Sequence, residues 1–340
     1  MNVAIYTPRL VLRPHGVKYL KTTHEYASDP ENTCYMLHLP AENIADTEAF
    51  LRDAQAEWEK KKPQYYEFAV LLEGEHIGAC SFRIEEDGSA ELGWLINKRF
   101  WRKGYCTEAA SAAVRFAIDE LGVERFIAHC DSENAGSYGV MERLGMKRQS
   151  LCGGRYNKSS AEERMELMYS MSAQECRAPA DCCCVIREMK QEEYPELEDF
   201  LHNAIYIPEG VQPPPREIIK QPELQVYIDN FGLSRHDYAL SARVKGRTVG
   251  AVWVRIMNDY GHVDDDTPSC AISLLKEYRG RGIGTALMRE MLAILSGRGY
   301  KKISLAVQKA NYAVKMYQKV GFVITDENEE EYIMVYECAR

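Results

Sequence analysis

The stretch Tyr278–Thr285, with the sequence YRGRGIGT, decides how the second half of this 340-residue chain is interpreted. Its three glycines at alternate positions let the backbone approach an anion closely, because glycine has no Cβ atom. A helical pattern begins at Thr285, so unpaired N–H groups and the positive end of the helix dipole face the same place. Ala271–Leu275 has the pattern of a short buried strand. A strand, an anion-binding turn and a helix in this order predict a site for a phosphorylated ligand.

Two common phosphate-binding motifs do not fit the loop. A P-loop requires a lysine followed by serine or threonine, and the loop contains no such pair. A dinucleotide fingerprint requires a third glycine at position 287, where the chain has Leu287. The remaining pattern, Arg279-x-x-Gly282-x-Gly284, resembles the acetyl-CoA pyrophosphate loop of the GNAT N-acyltransferases. A glycine-rich turn without a ligand is the alternative.

The sequence after the loop follows the order of the GNAT core. An amphipathic helix is followed by the strand Ile303–Val307 and by a short helix between Asn311 and Gly321. The resemblance assigns a hydrogen bond with the cofactor arm to Asn311. It assigns to Tyr317 the role of the general acid that protonates the CoA thiolate, and a core aromatic residue is the alternative for Tyr317.

A weaker copy of the same order lies upstream, where the strand Glu91–Ile96 precedes a loop around Gly104 and an amphipathic helix predicted over Thr107–Leu121. Gly104 lies 30 positions before Asn134, and Gly282 lies 29 positions before Asn311. Two sets with such similar spacing indicate an internal duplication with a period far longer than that of a solenoid repeat.

We therefore interpret the chain as two GNAT-like domains in tandem, at residues 1–172 and 185–340. Residues 173–184 lack periodicity and contain a proline, so they are predicted to form a linker. The resemblance implies a mixed α/β (α+β) fold for each domain, in which a mostly antiparallel mixed sheet is flanked by helices.

Three signatures of the first half resemble the GNAT branch that acetylates the N-terminal alanine of ribosomal proteins. They are Thr7–Pro14 (TPRLVLRP), Ala90–Trp94 (AELGW) and Gly104–Ala109 (GYCTEA). The chain departs from that branch at Arg102, where glycine is usual, and at Cys106, where alanine is usual. The second half resembles a general GNAT domain.

The resemblance also indicates catalytic residues in the first half. Met141 occupies the place of the acid tyrosine, so Ser137 is the candidate donor to the thiolate, as in that branch. Glu91 is the candidate general base, with a solvated carboxylate on a strand as the alternative. The second half has no glutamate at that place, and its acidic run Asp264–Asp266 is either a substitute or a solvated hairpin tip.

Acetyl transfer to an amine requires the neutral amine, although a lysine-type amine has a pKa near ~10.4. A general base or a dry pocket must supply the neutral form, and backbone N–H groups can polarise the thioester oxygen. The resemblance places the pantetheine arm in a gap beside the central strand. The residues implied to border the acetyl group are Leu274, Leu275, Leu95 and Ile96.

The remaining cofactor contacts implied by the resemblance lie in the two loops and at the two asparagines. In the second half they are Arg279, Gly280, Arg281, Gly282, Ile283, Gly284, Thr285 and Asn311. In the first half they are Arg102, Lys103, Gly104, Tyr105, Cys106, Thr107 and Asn134.

Composition limits the other classes of function. The net charge of −9 argues against nucleic acid as a main partner and suits cationic amines. No apolar run is long enough to cross a membrane, and Met1–Gly16 has no signal-peptide pattern. Eleven cysteines without a leader indicate reduced thiols and a cytoplasmic protein. No Cys-x-x-Cys motif or paired histidine completes a metal site around Cys182–Cys184.

The sequence therefore predicts an enzyme that moves the acetyl group of acetyl-CoA to a primary amine of a small molecule or a peptide N-terminus. The second domain is the surer active site, and the first is a second or a decayed one. A CoA-binding sensor or scaffold without turnover is the alternative, favoured by Met141 and by the missing base in the second half. A nucleotide-binding regulatory module is disfavoured by the two excluded motifs.

Overall fold

The computed structural model describes residues 2–208 and 210–338. The chain divides into two compact units, Met1–Val185 and Ile186–Arg340, and each is described by itself below. The predicted linker at residues 173–184 contains one 3₁₀ turn at Ala173–Glu175, and its role as a linker stays a prediction.

The first unit contains eight strands and five helices in its described residues. In chain order these are β1 (Val3–Tyr6), β2 (Leu10–Pro14), α1 (Leu20–Ala27), α2 (Pro30–Thr33), α3 (Ile44–Glu59), β3 (Tyr65–Leu72), β4 (Glu75–Ile84), β5 (Ala90–Ile96), α4 (Tyr105–Leu121), β6 (Arg125–Asp131), α5 (Ala135–Leu144), β7 (Lys147–Tyr156) and β8 (Glu163–Ser172).

The strands of the first unit follow the order β1-β2-β3-β4-β5-β6-β8-β7. Each neighbouring pair is antiparallel except β5 and β6, which run parallel. Helix α4 covers β4 and β5 with a face rich in small residues, including Ala109, Ala112 and Ala113, which are all buried. These small side chains let the helix lie close to the sheet, while Phe68 and Phe116 fill the larger spaces of the same core.

The second unit contains seven strands and four helices among the residues that the structure describes. They are β9 (Cys184–Glu188), which begins two residues before the division, α6 (Leu197–Ala204), α7 (Pro222–Gln225), β10 (Tyr238–Val244), β11 (Arg247–Arg255), β12 (Ser269–Leu274), α8 (Ile283–Gly297), β13 (Lys302–Gln308), α9 (Ala313–Val320), β14 (Val323–Glu327) and β15 (Glu331–Glu337).

The strand order of the second unit is β9-β10-β11-β12-β13-β15-β14. The pairs from β10 onward are antiparallel except β12 and β13, which run parallel. Leu287, Met288, Met291 and Leu295 lie on the buried face of α8 at the predicted spacing of three to four residues. Burial of each such side chain contributes about 2 kcal/mol.

The two units have the predicted architecture, a mostly antiparallel mixed sheet flanked by helices. The helices after the two loops begin two residues earlier than predicted. Helix α8 begins at Ile283 and α4 at Tyr105, because a glycine with left-handed backbone immediately precedes each of them as the N-cap residue. No helix within residues 2–208 and 210–338 has the length and apolarity needed to span a bilayer.

Candidate active site

The parallel strands of the second unit separate almost at once and form a fork. Ser269 of β12 pairs with Ser304 of β13, and this is the single register pair between the two strands. The other edge of β12 stays paired with β11 as far as Leu274, and the Leu275 amide donates to the carbonyl oxygen of Val249 at 2.9 Å. Beyond Ser269, the edge of β12 that faces β13 is therefore open along the fork.

The glycine loop lies at the open end of this fork. Gly280 has φ +74° and Gly282 has φ +82°, values that strongly favour glycine, and a Cβ atom at either position would meet no atom within 4 Å. No side chain caps the N-terminus of α8, so its first N–H groups are left for an anion. A Cβ at Gly284 would lie 3.3 Å from Leu274 and 3.7 Å from Met316, so the helix start packs closely against β12 and α9.

The two arginines of the loop have different surroundings. Arg279 folds back, donating from Nε to the carbonyl oxygen of Leu274 at 3.0 Å and from a terminal nitrogen to that of Asn203 at 3.2 Å. Arg281 is exposed, stacks on the ring of Tyr278 at 5.3 Å and makes no ion pair within the described part of the chain. Arg281 is therefore the arginine that is available to an anion, while Arg279 holds the loop in place.

The two residues predicted downstream lie on the β13–α9 connection and on α9 itself. The Asn311 side-chain oxygen accepts from the amide of Ala313 at 2.9 Å and so fixes the start of α9, which leaves its NH₂ group as a donor. Tyr317 is buried on α9 and packs edge-on against Phe322. Burial raises the pKa of the Tyr317 phenol, with the nearby Cys270 thiol adding to this effect, so the phenol keeps its proton.

The first unit has a fork of the same kind. Its parallel strands β5 and β6 pair at Ala90 with Phe126 and at Glu91 with Ile127, and then separate. Leu95 and Ile96 lie beyond the paired positions, at the open end of the fork. Leu95 still pairs with β4.

The loop of the first unit is built from fewer glycines. Gly104 has φ +80° and precedes α4, whose N-terminus carries no side-chain cap. Arg102 also adopts the left-handed region, with φ +61°, where the related branch has glycine. Nζ of Lys103 donates to the carbonyl oxygen of Arg99 at 3.3 Å. Burial raises the pKa of the Cys106 thiol to about 12, so this thiol is not activated as a nucleophile.

An arginine of the Thr7–Pro14 signature, which is not among the predicted site residues, holds this loop. Arg9, in the turn between β1 and β2, donates from Nε to Glu108 at 2.7 Å and from a terminal nitrogen to the carbonyl oxygen of Lys103 at 3.0 Å. Its guanidinium also stacks on Tyr105 at 4.6 Å, and the Thr7 hydroxyl donates to Glu108 at 2.6 Å. The signature at Thr7–Pro14 and the signature at Gly104–Ala109 therefore meet in space.

In the first unit, the predicted proton donor Ser137 lies in the first turn of α5, next to Asn134, which caps this helix. The Asn134 side-chain oxygen accepts from the Ser137 amide at 3.1 Å. Burial raises the pKa of the Cys130 thiol to about 11, and a hydrogen bond from the Ser137 side chain opposes that shift. Because Cys130 lies on β6, the Ser137 hydroxyl lies beside that strand. Met141 is buried in the core of the unit and carries no proton to donate.

Glu91 forms a hydrogen-bonded pair with a histidine. Its Oε1 lies 2.8 Å from Nδ1 of His129, across the fork from β5 to β6. The hydrogen bond from His129 lowers the pKa of Glu91, and the same bond raises the pKa of His129. His129 is not among the predicted site residues, although its position two residues after the partner of Glu91 follows from a correct parallel register.

The second unit has no glutamate at the place of Glu91, and a serine lies there. Ser269 pairs with β13 as Glu91 pairs with β6, and its hydroxyl donates to Asp259 at 2.7 Å. Asp259 was not selected from the sequence, because it lies ten positions away in an irregular loop. The run Asp264–Asp266 is exposed, and the side chain of Asp264 accepts from the amide of Asp266 at 3.0 Å within the turn.

Among the described residues, no three His, Cys, Asp or Glu side chains form a group able to hold a metal ion. The eleven cysteines are free thiols.

Comparisons with known proteins agree with the two forks and loops. Residues 9–147 match the model of an acetyltransferase (GNAT) domain, and residues 202–322 match that of the acetyltransferase (GNAT) family. The chain is 35% identical over 149 residues to the uncharacterized N-acetyltransferase YnaD of Bacillus subtilis, which covers 43% of this chain and 83% of the relative.

One further relative and one crystal structure are also similar to this chain. The uncharacterized N-acetyltransferase p20 of Bacillus licheniformis is 27% identical over 154 residues, which covers 43% of this chain and 84% of the relative. The crystal structure of a GNAT-family acetyltransferase from Bacillus anthracis is 28% identical, with a TM-score of 0.44, and covers 51% of this chain and 99% of its own.

The predicted family and fold are therefore confirmed for both halves of the chain. Two family models cover separate stretches, as expected for tandem domains, and the relatives are acetyltransferases. This chain belongs to the GNAT acetyltransferases and is an acyltransferase enzyme.

Proposed function

We propose that the enzyme transfers the acetyl group of acetyl-CoA to a primary amine of a small molecule or a peptide N-terminus by direct attack. The second unit is its surer active site. The observation that supports this most is the junction of Gly284, Leu274 and Met316, which brings the uncapped start of α8, the open edge of β12 and the helix of Tyr317 together.

The residues around this junction suit acetyl-CoA. The uncapped N–H groups of α8, the positive φ of Gly280 and Gly282, and the exposed guanidinium of Arg281 would hold the pyrophosphate. The NH₂ group of Asn311 and the open edge of β12 would hold the pantetheine arm. When bound, the thioester supplies an activated acetyl group next to Leu274 and Leu275.

The chain's own groups would then perform the proton transfers. Backbone N–H groups of the open edge of β12 can polarise a carbonyl oxygen in the fork. The phenol of Tyr317 stays protonated because it is buried, so it can donate to a departing thiolate. In the first unit, Ser137 would be the donor and the pair Glu91–His129 the base.

A phenylalanine substitution tests the role of Tyr317. In a His129→Ala background, which removes the proposed base of the first unit, Tyr317→Phe removes one hydroxyl from a buried ring. We therefore expect acetyl-CoA affinity to persist while thiol release on an amine panel falls by about 100-fold. Tyr312→Phe is the matched control, since Tyr312 lies in the same segment and is 65% exposed. The panel contains ethanolamine, spermidine and an alanyl peptide.

Equal turnover in the two variants would remove Tyr317 from the mechanism. Tight acetyl-CoA binding without thiol release on any acceptor would instead favour a CoA-binding sensor or scaffold. The net charge of −9 supports a cationic acceptor rather than nucleic acid, and the free cysteines support a cytoplasmic location.

A further inference from the structure

The loop between β11 and β12 folds directly onto the fork of the second unit. A Cβ atom at Gly261 would lie 2.8 Å from the backbone nitrogen of Ala306 on β13 and 2.9 Å from the hydroxyl oxygen of Ser269 on β12. Both contacts are closer than real Cβ atoms tolerate, and one is with backbone. The lack of a side chain at Gly261 therefore lets the loop reach the point where the two strands separate.

This loop places a carboxylate at the fork and fixes one of its oxygens. Oδ2 of Asp259 accepts from the Ser269 hydroxyl at 2.7 Å and from the Tyr227 hydroxyl at 2.7 Å. Burial, with the charge of Asp259 adding to it, raises the pKa of the Tyr227 phenol, which therefore remains a donor. Two hydroxyl donors on one oxygen hold the carboxylate in a single orientation.

Two polar atoms at the fork lack partners. Oδ1 of Asp259 is buried and has no hydrogen bond within the described residues, and the same holds for the hydroxyl oxygen of Ser304, the register partner of Ser269. An unpaired buried polar atom costs about 1–3 kcal/mol, a cost that a bound donor would remove. Glu331 of β15 adds a second carboxylate, whose pKa is raised by burial and by the charges of Glu330 and Asp259.

We propose that Asp259 is the catalytic base of the second unit, with Tyr227 and Ser269 as positioning residues, a role that rests on the acetyl transfer proposed above. Asp259 takes one proton from the acceptor ammonium group. The neutral nitrogen forms a C–N bond with the acetyl carbon as the C–S bond breaks. Tyr317 gives its phenol proton to the departing sulfur, which becomes the thiol. The nitrogen then loses a second proton, which replaces the one that Tyr317 gave away. The amide nitrogen keeps the remaining proton.

The exposed run Asp264–Asp266 does not fit this role. The side chain of Asp265 is fully exposed and lies 3.8 Å from the His262 ring, and the side chain of Asp264 is engaged in the turn itself. A carboxylate surrounded by water can attract a cationic amine but does not hold it at a fixed position against the fork. Asp265 is therefore a matched control on the same loop.

The experiment compares Asp259→Asn with Asp265→Asn in the full chain, each with His129→Ala to remove the proposed base of the first unit. We expect Asp259→Asn to lower kcat for thiol release by about 100-fold with acetyl-CoA affinity unchanged. Tyr227→Phe, which removes one of two donors, should lower kcat by about tenfold, again with unchanged affinity. Retained acetyl-CoA affinity shows in every case that the unit is folded.

The outcomes separate this inference from the proposed function. Equal kcat in Asp259→Asn and Asp265→Asn would overturn the role of Asp259 while leaving acetyl transfer intact. If the unsubstituted enzyme releases no thiol on any amine, the proposed function fails and the base role fails with it, and binding of spermidine to the CoA-loaded protein then decides only whether Asp259 binds the amine. Weaker binding in Asp259→Asn alone supports Asp259 as the amine site, and equal binding overturns it.

Discussion

His129 and Glu91 are joined by a hydrogen bond of 2.8 Å that spans the fork between β5 and β6. An ionised carboxylate can only accept, so Nδ1 of His129 carries a proton, and in the neutral imidazole Nε2 has the lone pair. Nε2 makes no hydrogen bond to any residue that the structure describes. Both side chains are partly exposed, Glu91 by 41% and His129 by 31%, so the pair is accessible from the fork.

This relationship predicts how the first unit responds to pH. Glu91 raises the pKa of His129, so the imidazole stays charged, and inactive as a base, up to a higher pH than a free histidine. Glu91→Gln removes the charge but keeps an oxygen that can accept from Nδ1. The pKa of His129 should fall, and the acidic limb of kcat/KM should move to lower pH.

The measurement uses a Tyr317→Phe background, which silences the proposed site of the second unit. Glu86→Gln is the control, because Glu86 is an exposed carboxylate in the turn before β5. An acidic limb at the same pH in both variants would show that His129 is not the base of the first unit.

The glycine loop predicts a second effect, on cofactor affinity. Ala at position 282 would have to adopt φ +82°, which costs about 1–2 kcal/mol in a residue with a Cβ atom. If the loop relaxes to avoid this strain, the N–H groups of α8 no longer point at one place. We expect Gly282→Ala to raise the Kd of the second unit for acetyl-CoA by about tenfold.

Gly297→Ala is a close control for this change. Gly297 ends α8, has ordinary backbone geometry and has open space around its Cβ position, so alanine there should leave the affinity unchanged. Calorimetric titration of acetyl-CoA would check both variants. A Kd for Gly282→Ala that matches that of Gly297→Ala would contradict an anion cradle in this loop.

Much of this architecture could be predicted because it depends on short-range patterns. The loop at Tyr278–Thr285, the buried face of α8 and the asparagine–glycine spacing of the short helices follow from local backbone preferences and from periodicity. The helix starts at Ile283 and Tyr105 were placed two residues late, because the N-cap is a left-handed glycine rather than a side chain that accepts hydrogen bonds.

The proton-transfer groups could not be found in this way. His129 meets Glu91 only because two parallel strands pair in one register, and a shift of one residue would turn either side chain to the other face of the sheet. Asp259 reaches Ser269 through an irregular loop whose path depends on a close contact at Gly261. Arg9 reaches Lys103 across more than 90 residues of chain. Contacts that depend on register and loop path leave no periodic signal.

The clamp formed by Arg9 predicts a local change in the first unit. Arg9→Ala removes its bonds to Glu108 and to the Lys103 carbonyl oxygen, and about half of the Arg9 side chain is exposed, so we expect a loss of only about 1 kcal/mol. Amide exchange in the segment at residues 103–108 should therefore become about fivefold faster. Arg52→Ala, which breaks an exposed pair with Glu48, is the control and should leave this segment unchanged. Equal exchange in both variants would show that Arg9 does not order the loop.

Two buried histidines predict that acid weakens the first unit. The rings of His15 and His76 lie 5.0 Å apart, and His76 contacts the Thr22 hydroxyl at 2.7 Å. Burial lowers the pKa of His76 to about 4, and burial together with His76 lowers that of His15 to about 3. Both values lie below that of the unfolded chain, so between pH 6.5 and about 4 the unfolded state binds protons that the folded state refuses, and stability is lost as the pH falls.

The variant His76→Leu should remove one of these two contributions. The fall in the free energy of unfolding with pH should become shallower by about 1.4 kcal/mol per pH unit in this range. Glu67, whose pKa burial raises to about 7, acts in the opposite direction but does so equally in both proteins. Urea unfolding near pH 6.5 and pH 5 can be followed by tryptophan fluorescence, because Trp58, Trp94 and Trp101 lie in the first unit. His38→Leu, at an exposed position, should keep the original pH dependence, and a His76→Leu curve parallel to it would refute the assignment.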